Sequence, residues 1–540
     1  MKSSWLMCAA CFAGVAIAAG CGSDRSTKTA GLRGGVDLAY DIGPGAGGPG
    51  PGSMMPPREG DDALSGQEFN TEAYDEIVDN PFLAAKQNPL STFSIDVDTA
   101  SYSNVRRFLQ QGQLPPPGAV RIEELVNYFN YDYEQPEGDV PFSVNVEVAG
   151  CPWKPEHRLV RIGLKGREVN LENRSPANLV FLLDVSGSMQ SGNKLPLVKS
   201  AMKLLVDRLG ESDRVAIVVY AGASGLALPS TGADDKITIL TALDQLEAGG
   251  STNGGEGIRL AYAVATDNMI PGGINRVILC TDGDFNVGTT NESELTRLIE
   301  EKAKSGVFLS VLGFGAGNLK DSTMEKLADR GNGNYAYIDT IGEARKTLVE
   351  EMSGTLITIA KDVKIQVDFN PAHVAGYRLI GYENRMLRAE DFKDDTKDAG
   401  EIGAGHTVTA LYEIVPPGQL VPGTDVDPSK YQKPGELSDE AAGDELLTVR
   451  LRYKDPDGQE SKPLEVPVVA EEKPFAAASQ DFQFAAAVAA FGMVLRDSKH
   501  RGDANLGSVL EIAESSLGDD PSGYRAEFLQ LAMMARDLKR

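Results

Sequence analysis

Cysteine and histidine are scarce in this chain, with five and four in 540 residues. Cys8, Cys11 and Cys21 crowd the amino terminus, which leaves Cys151 and Cys280 for any folded part. A disulfide-built scaffold is therefore excluded, and one bridge between Cys151 and Cys280 is the only pairing left open there. His157, His373, His406 and His500 are scattered and show no zinc spacing. Basic charge is short too: 52 Lys and Arg against 78 Asp and Glu leave −26 at pH 7. That excludes nucleic acid, whose phosphates would be repelled. It also excludes passive attraction to anionic lipid.

What is present at the amino terminus supplies another route to a membrane. Lys2 precedes an apolar run from Trp5 to Ala19, too short for a spanning helix. The run ends Ala18-Ala19-Gly20-Cys21, which resembles a bacterial lipobox. The resemblance implies that residues 1–20 are a signal peptide and that Cys21 is lipidated and becomes the new terminus. Acyl chains contribute about 0.8 kcal/mol per buried CH₂, so several of them anchor firmly. Gly22 stands where an aspartate would favour retention at the inner membrane, so the sorting rule implies an outer-membrane anchor in the cell envelope. Residues 21–79, with Gly43-Pro-Gly-Ala-Gly-Gly-Pro-Gly-Pro-Gly52 at their centre, have little to bury and read as a flexible linker.

The chemistry gathers around Asn178-Leu-Val-Phe-Leu-Leu-Asp184, an apolar run that reads as a strand buried on both faces of a parallel sheet. It ends in Asp184, Ser186 and Ser188, a carboxylate and two hydroxyls at alternate positions. Gly187 and Gly192 let the backbone turn. Leu195, Val198, Met202 and Leu205 then mark one face of a helix. Oxygen groups at the carboxyl end of a strand sit where open α/β sheets place ligands. Hard oxygen donors suit magnesium or calcium, not zinc. Thr252 lies in the loop Gly249-Gly-Ser-Thr-Asn-Gly-Gly255, and Asp282 follows the apolar run Val277-Ile-Leu-Cys280.

Asp184-x-Ser186-x-Ser188, Thr252 and Asp282, in that order, resemble the three motifs of the metal-ion-dependent adhesion site (MIDAS) of von Willebrand factor type A domains. The resemblance implies a divalent cation held by Asp184, Ser186, Ser188, Thr252 and Asp282. Magnesium comes first, with calcium or manganese as alternatives. It also implies an open coordination position that accepts an Asp or Glu carboxylate from a protein partner.

Strand and helix alternate through residues 175–357, with strands expected at 178–184, 214–220, 276–281, 307–314 and 335–338. Helices are expected at 193–209, 254–267, 292–305 and 341–355. This predicts an α/β, doubly wound, mostly parallel Rossmann-like sheet. On both sides the period changes to two. Phe142, Val144, Val146 and Val148 alternate with polar residues, as do Val160, Ile162 and Leu164. Val363, Ile365, Val367 and Phe369 resume the pattern, then Val408 to Ile414 and Leu447 to Tyr453. The simplest reading is one antiparallel β-sandwich, residues 136–174 and 358–470, with the α/β domain inserted between its second and third strands. Residues 80–135 carry two short helical patterns and resemble the N-terminal segment of some bacterial type A domain proteins. Residues 471–540 form a helical region that resembles the C-terminal domain of unknown function in the same proteins. There Phe484, Val488, Phe491 and Leu495 share one face, and Tyr524, Phe528, Leu531, Ala535 and Leu538 another.

Three patterns have plainer readings. Asp96 and Asp98 look like the start of a phosphatase motif or a calcium loop, but neither the glycine nor the closing glutamate follows at the calcium-loop positions, so capping of the next helix by Asp98 or Thr99 is expected. Asp455-Pro-Asp-Gly458 reads as a hairpin turn. Arg501-Gly-Asp503 matches a tripeptide known as an adhesion signal, but three-residue matches are common by chance and this one lies in a polar loop between helices. The function expected is a membrane-anchored, divalent-metal-dependent protein-binding module, not an enzyme. One alternative is a structural envelope lipoprotein whose metal only ties loops together. The other is a metal-assisted hydrolase, for which Asp284 and Glu256 are the nearby candidate bases.

Overall fold

Eight consecutive buried positions, Ala177–Asp184, form the central strand of the α/β domain. A strand covered on both faces needs apolar residues at every position, which is why its sequence lacks alternation. The computed structural model describes residues 72–540 apart from 171–173, 223, 252–253, 284–291, 318, 398, 425–436, 457 and 470–472. Arg214–Tyr220 and Ile274–Thr281 flank the central strand in parallel, and Phe308–Phe314 and Tyr335–Ile338 extend the sheet. Ser224–Gly232 closes the other edge antiparallel. One face packs on helices Leu195–Arg208 and Lys236–Asp244. The other packs on Gly254–Asp267, Glu292–Lys304 and Asp321–Arg330.

The edge strand and the helices Lys236–Asp244 and Asp321–Arg330 were not foreseen from the sequence. Lys236–Asp244 buries only Ile239 and Leu243, so it shows little apolar stripe to read. The helix expected at 341–355 is broken into Ile341–Arg345, a π turn over Lys346–Glu350, and Met352–Leu356.

Two antiparallel sheets complete the strand structure. One runs in the order Leu83–Ala84, Gly376–Ile380, Thr407–Val415, Arg158–Gly166, Phe142–Gly150. The other runs Met386–Leu387, Leu90–Ser94, Thr358–Phe369, Glu445–Lys454, Lys462–Val469. Apolar residues of both sheets, among them Phe93, Val160, Ile365, Val408 and Leu451, form a single cluster. The strands Leu83–Ala84 and Leu90–Ser94 correct the sequence reading, because the α/β domain enters after four strands of these sheets, not two. Leu90–Ser94 escaped notice because most of it is buried and its polar groups are satisfied inside. The Tyr412 hydroxyl meets Ser91 Oγ at 2.9 Å, and Gln366 Nε2 donates to Thr92 Oγ1 at 2.9 Å.

The helix Gln480–Leu495 is buried along nearly its whole length. It packs with Ile122–Asn127, Leu506–Ser515 and Tyr524–Leu538 in one cluster that also takes in Leu159 and Leu411 of the first sheet. Phe129 sits at its middle, with ring centroids of Phe484 and Phe528 at 4.9 and 5.8 Å. Leu538 departs from the expected stripe and is exposed.

Capping by Asp98 or Thr99 is also corrected. Thr99 makes no side-chain cap to helix Ala100–Gln110, and Asp98 Oδ1 accepts instead from the Tyr335 amide at 2.8 Å. Glu124 Oε2 takes the Ser101 amide at 2.7 Å, which does the capping from another helix. Asp455 and Gly458 lie in the turn between Glu445–Lys454 and Lys462–Val469. Arg501 pairs with Asp497, and the Asp503 amide donates to Trp153. Cys151 and Cys280 are both free and buried. Among the described residues no helix is long and apolar enough to cross a membrane. Cys21 lies outside the described residues.

Candidate metal centre

Asp184 ends the central strand and is fully buried, opposite Tyr220 of the neighbouring strand. Its Oδ1 accepts the Ser186 amide at 2.9 Å, which folds the chain back at once after the strand. The turn brings Ser186 Oγ to 3.0 Å from Ser188 Oγ. Ser186 is buried and Ser188 half-buried. Asp282, also fully buried, follows Ile274–Thr281 on the other side of the central strand. Thr281 Oγ1 approaches Asp184 Oδ2 at 3.5 Å and accepts the Gly283 amide at 3.2 Å. The structure thus brings Asp184, Ser186, Ser188 and Asp282 to the carboxyl ends of two adjacent parallel strands.

Thr252 lies outside the described residues, but the loop leading to it is tied to the same turn. The Gly249 amide donates to Val185 O at 2.7 Å, and the Gly187 amide to Gly250 O at 3.0 Å. Gly250 has φ +88°, and a Cβ there would come within 3.3 Å of the Gly222 amide nitrogen, so glycine is required.

Burial pushes the Asp184 carboxyl up to about 6. The Ser186 hydroxyl and amide bonds pull it down in part, while the Asp282 charge adds to the rise.

Sequence reasoning missed Lys194. This residue sits just before helix Leu195–Arg208, and its Nζ donates to Asp282 Oδ2 at 2.9 Å with both side chains buried. Its stem runs over Gly315, which has φ +77°. A Cβ there would come within 2.4 Å of Lys194 Cγ, so the bare glycine is what leaves room for the lysine. No spacing rule in the sequence links Lys194 to Asp282; only the sheet order does.

Residues 178–351 match the von Willebrand factor type A domain family, and residues 68–161 match a family described as von Willebrand factor. Residues 354–538 match the family described as uncharacterized protein YfbK, C-terminal. Over 472 residues the chain is 46% identical to the uncharacterized protein YfbK of Escherichia coli (strain K12), covering 86% of this chain and 81% of that one. The chain belongs to the YfbK family. It is also 29% identical over 161 residues to the inter-alpha-trypsin inhibitor heavy chain H4 of Homo sapiens, covering 28% of this chain and 17% of that protein. Among solved structures, von Willebrand factor type A from Catenulispora acidiphila covers 72% of this chain and 88% of its own, at TM-score 0.40 and 16% identity.

The donor set of this YfbK-family chain fits a divalent cation of the magnesium type. Two carboxylates and two hydroxyls, all hard oxygens, gather at the ends of adjacent strands. Soft ligands are missing from the set, as the thiol of Cys280 is buried within its strand. Lys194 already places one positive charge on Asp282, so any metal there must share that carboxylate with the ammonium group or displace it.

Proposed function

We propose that the chain is a metal-dependent protein-binding module of the cell envelope. The observation that carries this reading is the convergence of Asp184, Ser186, Ser188 and Asp282 at the carboxyl ends of parallel strands. Asp184 and Asp282 would supply the charge that holds magnesium, and the two serines and Thr252 neutral oxygens. When bound, the ion supplies an electrophilic position for a carboxylate of the partner. Asp184 is positioned by its bond to the Ser186 amide, and Ser186 by its bond to Ser188, so the chain presents these oxygens with little rearrangement. Thr252 follows Gly249 and Gly250, whose backbone is hydrogen-bonded to the turn that carries Ser186. A strongly acidic protein could in this way grip an acidic side chain.

A hydrolytic reading has less support. Glu256 is exposed and, among the described residues, accepts from the Ser224 hydroxyl at 3.5 Å, while Asp284 lies outside the described residues. In the same proposal the two antiparallel sheets act as a sandwich that carries the type A domain. Cys21 provides a lipid anchor, in keeping with an outer-membrane site.

Magnesium should stabilise the chain by roughly 2.7 kcal/mol at a hundredfold excess over Kd. Asp184→Ala should lose that gain while circular dichroism stays native, because apolar burial holds the sheet. A partner retained in magnesium and released by chelator is then titrated against the native chain and Thr252→Ala. The reading requires weaker binding by Thr252→Ala and in chelator. Equal affinity in all conditions would overturn it.

A further inference from the structure

Apart from the Asp184 site, acidic side chains from three segments meet in the interior. Asp96 follows the strand Leu90–Ser94, Glu124 lies in helix Ile122–Asn127, and Glu325 in helix Asp321–Arg330. All three are buried, and one carboxylate oxygen from each lies within 4.8 Å of the others. We propose that Asp96, Glu124 and Glu325 hold a buried calcium ion that fastens the N-terminal segment to the type A domain.

The second observation is the state of Asp96. The residue is only 4% exposed, yet its Oδ2 has no hydrogen-bond partner among the described residues. An unmet carboxylate oxygen in the interior is costly and calls for a cation, a donor or a bound water. Its other oxygen accepts the Asp98 amide at 3.0 Å and stands 3.4 Å from Arg385 Nη2. That guanidinium is already divided, because Arg385 also reaches Glu325 at 3.1 Å, Asp329 at 2.7 Å and Asp98 at 3.6 Å. Arg121 is likewise shared between Glu124, Asp321 and, at 3.7 Å, Glu325. Two arginines therefore serve more carboxylates than they can neutralise.

The chemistry selects the ion. Every donor is a hard oxygen, which excludes soft metals. Calcium takes oxygen ligands at about 2.3–2.6 Å in flexible geometry, so two ligands across the ion stand up to about 5 Å apart. Three oxygens within 4.8 Å of one another lie inside the span that such a shell allows. Magnesium demands near-octahedral geometry at about 2.0–2.1 Å, and Glu124 and Glu325, already held by Arg121, Arg385 and the Ser101 amide, have little freedom to meet it. The calcium-loop spacing fails in the sequence after Asp96 because the other two ligands come from distant segments, not from a continuous loop. With all three residues buried, the ion would have no face for a partner and would act as an internal fastening.

The test separates this site from the one at Asp184. The full chain carrying Asp184→Ala is loaded with calcium and weighed by native mass spectrometry, and terbium is titrated with luminescence sensitised by the nearby Tyr335. One calcium per chain and a terbium signal are expected. Asp96→Asn in that background should weaken calcium at least tenfold. Glu325→Gln should do the same and keeps a carbonyl oxygen for Asn384 and Arg385, so it serves if Asp96→Asn fails to fold. An Asp184→Ala chain that takes up neither ion at millimolar concentration overturns the proposal. So does calcium affinity unchanged by the substitutions at Asp96 and Glu325.

Discussion

Lys194 sets the electrostatics of the candidate metal centre. Its ammonium group rests on Asp282 at 2.9 Å in a buried setting, where a charge-assisted bond is worth about 1.5–3 kcal/mol. A metal ion entering the site must share Asp282 with it or displace it. Lys194→Met keeps the stem that packs over Gly315 but removes the charge, leaving Asp282 under-neutralised until metal arrives. Magnesium affinity should rise about tenfold and the metal-free melting temperature should fall, both readable by calorimetry. Asp184 adds a dependence on pH. Its carboxyl is raised to about 6, so the protonated form stabilises the metal-free chain at low pH, and that contribution disappears as pH rises through about 6. Magnesium needs the ionised form and runs the other way. Its affinity should be flat above pH 7 and drop about tenfold per unit below about pH 6. Titration calorimetry across pH 5 to 8 gives the slope, and a flat profile would show that Asp184 does not face the ion.

At the scale of elements, the strands of the α/β domain were legible because burial on both faces leaves no polar alternation in runs such as Val277 to Cys280. Asp184, Ser186, Ser188 and Asp282 were legible for a related reason, since each follows closely on such a run. Lys194 was hidden because its partner lies across the sheet, and the edge strand Ser224–Gly232 because its exposed face mixes polar and apolar residues. Of the N-terminal strands, Leu90–Ser94 was hidden by its buried serines and threonine and Leu83–Ala84 by its length of two residues. Glycines were readable as turns, but their packing role was not. Gly257 lies inside helix Gly254–Asp267, where alanine would favour the helix by about 0.8–1.0 kcal/mol. A Cβ there would come within 2.9 Å of Tyr220 Cβ, in the strand beside Asp184. Overpacking of this kind costs about 1–3 kcal/mol. Gly257→Ala should therefore lower the melting temperature despite the better helix former. It should also weaken magnesium, because the same helix begins just after the Thr252 loop.

Across the whole molecule, the N-terminal segment acts as the joint between the type A domain and the C-terminal helices. Arg106, in helix Ala100–Gln110, is buried and reaches Glu343 at 2.7 Å, Glu527 at 3.0 Å and the Tyr128 hydroxyl at 3.1 Å, with Asp339 paired to the same guanidinium. Asp339 and Glu343 belong to the type A domain and Glu527 to the last helix, so one side chain ties three regions together. The planar fork matters here, because its two terminal nitrogens reach carboxylates on different sides, whereas the three donors of a lysine spring from one compact ammonium group. Arg106→Ala leaves Asp339 and Glu343 buried without their cation, which costs about 3–5 kcal/mol. Arg106→Lys should recover only part of that. Burial and the neighbouring Glu343 charge already hold the Asp339 carboxyl above the usual range, against the pull of Arg106. Without Arg106 it should rise further, so the alanine variant takes up more proton on folding than the native chain does. Its stability deficit should therefore be largest at pH 7 and shrink toward pH 5, and urea melts of both chains at the two pH values measure the difference. An equal deficit at both would show that Arg106 acts through packing on Tyr102 and Tyr128, not through its charge.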